Sequence, residues 1–286
     1  MKKTFVFLSV FLLIAAAGHS QKFSLRTGGG IGSVSGGDIF AGIQGLSDFL
    51  NDEYRASYSF GVPRLGLDFS AELVYRLNPR MGVGIGLGYF TAGRESTVDY
   101  TTATGTDVSQ TIHPRIGAIP VTATFHYYPS APASKIQLDC SAGFGLYLAH
   151  FNHDEKIGLS VPEGTGTIDY TYASGGKLGM GLHLGLAAAC PLSGKLALVA
   201  GFSYRLASVK PGTGTWTEAG SGIVGSYRIE GGRLQPWYFD MTSEGRTYPQ
   251  VVFDSDMPAG GDVANARQAK LGLSGFLFSL GIRIDL

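Results

Sequence analysis

The sequence predicts an all-β protein, an antiparallel eight-stranded transmembrane β-barrel with long extracellular loops and a short loop helix. Three observations lead there. The chain opens on an export-type leader, yet no later run reaches the roughly 18 apolar residues that a helical span needs. Its 286 residues hold 43 glycines and only 15% charged side chains, low charge and high glycine for a water-facing surface. Long segments alternate apolar with polar or glycine residues at period two, the pattern of a strand with two unlike faces. In lipid every backbone polar group must be paired within the protein, so a chain without spanning helices is left with the closed barrel.

The leader comes first. Lys2 and Lys3 give it a positive start, residues 5–17 are apolar, and Gly18 and Ser20 are small residues suited to cleavage before Gln21. That organisation is a cleaved secretory signal over residues 1–20, with residues 21–286 as the barrel domain. No cysteine stands at the cleavage point, so a lipid anchor is not expected. The 22 basic and 22 acidic side chains cancel, and losing the two lysines leaves a small acidic excess. Nothing resembles the basic stripe of a nucleic-acid-binding chain.

The strands follow in order. Residues 21–35 supply the first. In the second, Leu65, Leu67, Phe69, Ala71, Leu73, Tyr75 and Leu77 interleave with Gly66, Asp68, Ser70, Glu72, Val74 and Arg76. Asn78-Pro79-Arg80 makes a tight turn into residues 81–90, where Met81, Val83, Ile85, Leu87 and Tyr89 alternate with Gly82, Gly84, Gly86 and Gly88. Strand-interior glycine costs entropy and packs nothing in an ordinary core. On the inner wall of a narrow barrel it makes room for a neighbour's bulky polar group. The competing readings, a soluble sandwich strand or a phosphate-cradling loop, lack support, since no helix follows and the dinucleotide fingerprint is absent.

Residues 113–128, 135–150, 177–191 and 196–205 repeat the grammar, and residues 267–286 close the set. There Leu271 and Leu273 are out of phase with Phe276, Phe278 and Leu280, which predicts a bulge near Ser274-Gly275. Three connections are tight, around Pro79, Ala131 and Ser193, and four are long, over residues 36–61, 94–112, 151–176 and 210–266. Short turns on one side and long loops on the other are the layout of an outer-membrane barrel. Tyr75 and Tyr127 fall near the short-turn ends, Tyr89 and Tyr204 near the long-loop ends.

Inward positions carry the charge: Arg26, Arg64, Asp68, Glu72, Arg76, His126, Asp139, His183 and Arg205, with Lys270 a further candidate. Charges of both signs in a narrow lumen must pair. They form either a structural plug of salt bridges or the constriction of a gated pore. In the first long loop, Asp38 suits an N-cap, and Ile39, Ile43, Leu46 and Leu50 recur at helical spacing. Such a helix packs on other loops, lies on the outer leaflet or lids the barrel mouth. The last long loop places Gly231-Gly232 as a hairpin turn; its arms extend outward or, on a rival reading, enter the wall to give ten strands. Trp216, Trp237, Tyr238 and Phe239 either make it a candidate contact surface or pack the loops together. His150, His153, Asp154 and Glu155 form either a metal cluster or a solvated turn. Cys140 and Cys190, on the outer face of neighbouring strands, are candidates for a disulfide or are free thiols.

Taken together, the leader, the eight alternating segments and the short-turn, long-loop rhythm resemble the outer-membrane-protein β-barrel domain family, small barrels that include the OmpA transmembrane domain and OmpX-like and OmpW-like proteins. The resemblance covers nearly all of residues 21–286 and implies integral insertion in the bacterial outer membrane. It implies a structural or interaction role through the extracellular loops, with outer-membrane lipid, lipopolysaccharide and an extracellular protein or surface as partners. The alternative is a narrow porin-like channel or transporter for small or hydrophobic molecules. A lipid-modifying enzyme of this fold would need an outward His and Ser pair, and none stands out, so no catalytic residue, cofactor or metal is expected. No peptidoglycan-binding domain is read in residues 21–286, so a cell-wall anchoring role is not expected.

Overall fold

A computed structural model of the chain describes residues 23–59, 65–93, 95–130 and 135–286. The leader read over 1–20, the inward position read at Arg64 and most of the turn around Ala131 lie outside the described residues. In chain order the elements are β1 (Phe23–Ser33), β2 (Gly36–Gly37), α1 (Asp38–Tyr54), β3 (Ser57–Ser59), β4 (Leu65–Asn78), β5 (Met81–Gly93) and β6 (Ser96–Thr101). Next come β7 (Asp107–Tyr127), β8 (Gln137–Val161), β9 (Gly164–Ser174), β10 (Lys177–Pro191) and β11 (Leu196–Val209). The chain ends with β12 (Gly214–Gly222), β13 (Tyr227–Ser243), β14 (Arg246–Asp254), β15 (Val263–Gln268), β16 (Leu271–Gly272) and β17 (Gly275–Asp285).

The pairing is antiparallel throughout and runs in a cycle. β1 pairs β4, β4 pairs β5, β5 pairs β7, β7 pairs β8, β8 pairs β10, β10 pairs β11, β11 pairs β17, and β17 pairs β1 again. Each of these strands is bonded along both edges, so none presents a bare row of N–H and C=O groups. Polarity across the wall is inverted relative to a protein in water. Outward residues are large and apolar, with Ile85 70% exposed and Phe278 66% exposed, while the inward Asp68 and Asp139 are buried. The alternating glycines of β5 belong to this inner face: a Cβ on Gly84 would stand 2.6 Å from Glu72 Oε1. Their place is held open for a neighbour's carboxylate.

Most of the expected long loops are sheet. β7 and β8 run for 21 and 25 residues, well past the ring, because their alternation continues through Val108, Gln110 and Ile112, all buried on the inner face. β6 pairs with the outer half of β7, and β9 with that of β8. From β9 the extension continues through β12 and β13, and β13 pairs with both β14 and β15.

Gly231-Gly232 does not form the expected hairpin turn. β13 continues through both residues as a bulge, the pair standing opposite Trp216 alone, and the turns fall at Gly222–Gly225 and at Glu244-Gly245, where φ is positive at both residues. Gly231 is needed for close approach instead, since a Cβ there would lie 1.6 Å from Trp216 Nε1. The arms of this segment pair with β9, with each other, and with β14 and β15, not with strands of the ring. Near Ser274 the expected bulge is a complete interruption: β16 and β17 are separate, and Leu271 and Leu273 are buried on the inside.

Helix α1 packs inside this extension. Its N-cap is Gly37 at φ 61°, with no side-chain cap, so Asp38 does not cap the helix as its residue type suggests. Asp38 instead accepts hydrogen bonds from the Arg267 guanidinium and, at 2.8 Å, from the Lys270 backbone N–H. At the other end Asp52 accepts from Arg246 Nη1 at 2.6 Å and from the Tyr248 hydroxyl at 2.8 Å. Gly42 and Gly45 let the helix sit directly on β14, since a Cβ on Gly45 would be 1.9 Å from the Pro249 carbonyl oxygen. Backbone cannot give way there. Gly45→Leu is expected to lift α1 off β14 while leaving the ring intact; limited proteolysis of the refolded variant should cut within residues 38–54, with the heat-modifiable gel shift of the barrel unchanged. Equal protease resistance of variant and wild type would refute this packing argument.

Candidate functional site

Among the described residues the lumen holds two charged clusters separated by a cavity. Toward the short-turn end, Arg26 of β1 is ion-paired with Asp139 of β8, and its Nη2 donates to the Tyr128 hydroxyl at 3.1 Å. The ring of His126 lies between two carboxylates, with Nδ1 3.0 Å from Asp139 Oδ2 and Nε2 3.2 Å from Glu72 Oε1. An imidazole so placed satisfies both partners only by donating from both nitrogens. Arg76 stacks its guanidinium over the Tyr128 ring, 4.9 Å from the centroid. These residues come from β1, β4, β7, β8 and the residue just after β7, and they meet inside the bore toward its short-turn end.

Toward the long-loop end, Arg205 of β11 reaches Asp68 of β4 at 3.4 Å, donates from Nε to the Leu273 carbonyl at 2.7 Å and lies 4.5 Å from the Phe90 ring centroid. His183 stands between the clusters, its Nε2 3.1 Å from Thr124 Oγ1. A cavity of about 220 Å³ fills the gap, walled by small polar groups such as Ser70, Thr122, Ser141 and Ser279. Above Arg205 lies an apolar cluster in which Ile39, Phe40 and Ile43 of α1 meet Phe90, Ile112, Tyr147, Phe151 and Leu273. Two ionic layers and an apolar layer above them therefore lie in series along the bore.

Several candidates read from the sequence land elsewhere. Lys270, a further inward candidate by alternation, is exposed on the segment before β16. Trp216 and Tyr238 turn toward the apolar cluster of the mouth. The Tyr238 hydroxyl donates to Asp240 at 2.8 Å and Arg267 stacks on its ring at 4.2 Å. Trp237 donates from Nε1 to the Asp254 carbonyl at 3.2 Å, and Phe239 is half-buried. Segment 150–155 is neither a metal cluster nor a turn: it is continuous β8, with Asp154 paired to Arg115 and His153 Nε2 3.2 Å from Glu155 Oε2. Cys140 and Cys190 are free thiols. Register explains why, since Cys140 lies opposite Leu186, four residues from Cys190, an offset of about 13 Å along a strand.

Three lumen residues escape a reading of the sequence. Arg283 of β17 is buried at the short-turn end, opposite Arg26 in register, with Nε 3.1 Å from Asp285 Oδ1. Its signal is present, because it continues the inward set Leu277, Ser279, Gly281. Tyr128 and Tyr147 are also buried inside; an aromatic at an inward position reads as an interface residue until its neighbours are known.

Outside the ring, hydrogen bonds from Arg246 and Tyr248 hold the Asp52 carboxyl below its ordinary value. A lowered folded value means stability that is present above the unfolded value of about 3.9 and is lost as pH falls through the folded one. The C-terminal end of α1 is accordingly expected to stay anchored at neutral pH and to loosen only below about pH 4. Hydrogen exchange of residues 48–54, corrected for intrinsic rates, should show this acid loosening, and Asp52→Asn should remove its pH dependence.

No family model and no curated protein sequence matches the chain. Among solved structures it is similar to Neisserial surface protein A, at 12% identity over 92% of this chain and 97% of that one with a TM-score of 0.34. It is similar to the outer membrane protein OprG from Pseudomonas aeruginosa, at 11% identity, 93% and 97% coverage and a TM-score of 0.36. A major outer membrane protein from Thermus thermophilus shows 17% identity, 92% and 98% coverage and a TM-score of 0.37. Likeness at these scores carries no weight of its own, and the functional reading rests on the geometry of this chain.

Proposed function

We propose that the chain is an eight-stranded integral barrel of the bacterial outer membrane, shut along its bore, that acts as a structural and interaction protein through the sheet and helix built on its long-loop end. The observation that carries this reading is the inverted polarity. A ring of paired strands with large apolar side chains outside and buried ion pairs inside is stable only where lipid covers the outer face. Strands of 11 to 25 residues meet the length of about 9–11 that a tilted span requires. Export by the leader read over residues 1–20, both termini on the periplasmic side, and resemblance to the small OmpA-, OmpX- and OmpW-like barrels belong to the same reading. So do outer-membrane lipid and lipopolysaccharide as immediate partners and an extracellular protein or surface as the further one. The role is binding, not catalysis.

A shut bore is what distinguishes this reading from a pore. Refolded protein showing the heat-modifiable gel shift of a closed barrel is expected to be silent in a planar bilayer. Reproducible openings of the unmodified protein would overturn the plug and favour the alternative, a narrow gated channel, for which the cavity of about 220 Å³ between the two clusters is the supporting feature.

A further inference from the structure

A second cavity, of about 410 Å³, lies outside the bore, between α1 and the strand extension. Its volume falls within the range of about 300–1,000 Å³ typical of small-molecule sites. Strand register dictates its chemistry. Glu155 of β8 lies opposite Tyr170 of β9, which lies opposite Glu218 of β12; two residues along, His153, Tyr172 and Trp216 form a parallel row. At period two both rows share one face, and all six side chains line the cavity. Phe253 of β14 stacks on Tyr172 at 4.3 Å, and Ile39, Ile43 and Leu46 of α1 make the opposite wall.

The balance of charge selects the ligand. Among the described residues two carboxylates line this space and no lysine or arginine does. Their existing partners include no lysine or arginine: Gln110 Nε2 donates to Glu155 at 2.6 Å, His153 Nε2 lies 3.2 Å from the other Glu155 oxygen, and the Tyr227 hydroxyl donates to Glu218 at 2.7 Å. The negative field converges on the ring between them, for burial first and then Glu218 and Glu155 push the Tyr170 phenol up. Aromatic faces attract cations through the ring quadrupole, with Trp strongest. Two carboxylates beside Tyr170, Tyr172 and Trp216 add Coulomb attraction in a partly desolvated space.

From this geometry we infer that the extracellular cavity binds a small lipophilic organic cation, an amine or quaternary ammonium carrying an apolar group, with the cationic head against Glu155, Tyr170 and Glu218 and the apolar part against Phe253 and α1. The inference does not depend on whether the bore conducts.

Isothermal titration of benzyltrimethylammonium into the protein in lipid nanodiscs tests it, with empty nanodiscs as the blank. Two probes of similar size complete the set, the neutral 2-methyl-1-phenyl-2-propanol and the anionic phenylmethanesulfonate. The cation is expected to bind at one site, at least tenfold more tightly than the alcohol, and the sulfonate not at all. The isosteric pair Glu155→Gln with Glu218→Gln is expected to abolish the preference for the cation while keeping the heat-modifiable shift, and Trp216→Leu to weaken cation binding at least tenfold. Equal affinity for cation and alcohol, undiminished cation binding by the Gln pair, or no heat above the empty nanodiscs would each overturn the assignment.

Discussion

Asp139→Ala is expected to be among the most damaging single substitutions in the ring, costing about 3–5 kcal/mol. The effect arises from what is left behind. Arg26 keeps its charge, its side chain is only 15% exposed, and the Tyr128 hydroxyl is a poor substitute for a carboxylate. His126 loses the acceptor of its Nδ1 at the same time. Removing one member of a buried pair therefore costs more than the pair itself contributes, because an uncompensated charge must stay in a narrow bore. The paired replacement Arg26→Met with Asp139→Leu should recover most of the loss, since it takes both charges out and fills the space. Unfolding in urea from lipid vesicles, followed by the fraction that keeps its heat-modifiable mobility, measures both variants. A small effect of Asp139→Ala, or a double variant as unstable as the single, would mean that water reaches Arg26 freely and that the cluster is no plug.

How much of this is legible in the sequence depends on what a period of two can encode. Alternation reports which face a residue takes, so the inward placement of Asp68, Glu72, His126, Asp139, His183 and Arg205 can be read from the sequence alone. It does not report stagger between strands. Which carboxylate meets which base depends on shear around the ring, and so the partition into an Arg26–Asp139–His126–Glu72 cluster and an Arg205–Asp68 cluster has no sequence signal. Glycine misleads once and is silent once. Gly231-Gly232 looks like a hairpin turn because glycine commonly serves positive φ, whereas its use here is to let Trp216 lie against the strand. Gly42 and Gly45, three residues apart in α1, mark a helix that must approach a strand closely, but that partner is distant in sequence and only the fold supplies it. The long connections hide their sheet for a related reason: β-sheet outside the membrane needs no apolar outer face, so its alternation is reversed, with apolar residues such as Val108 and Ile112 buried inside and polar ones outside.

Two ionic clusters and an apolar one in series make a definite prediction about conduction. Arg26→Ser with Asp139→Ser removes the lower ion pair without leaving an orphan charge, and leaves His126 with Glu72. Asp68→Ser with Arg205→Ser does the same for the upper pair. It also frees the Leu273 carbonyl and uncovers Phe90, which Arg205 now holds at 2.7 Å and 4.5 Å. Resistances in series add, so either paired truncation alone should leave the bilayer silent, because the remaining cluster still blocks the bore. Combining both with Gly45→Leu, which displaces α1 from the mouth, is expected to give reproducible openings on planar-bilayer recording at neutral pH. A bore about wide enough for side chains to fill limits these to small currents, the size of a narrow pore. Openings from the lower truncation alone would place the whole barrier at Arg26 and make the apolar cluster permeable as it stands. Silence of the combined variant, with its gel shift intact, would mean instead that Tyr128, Tyr147 and the buried Arg283 fill the bore without help from the ion pairs.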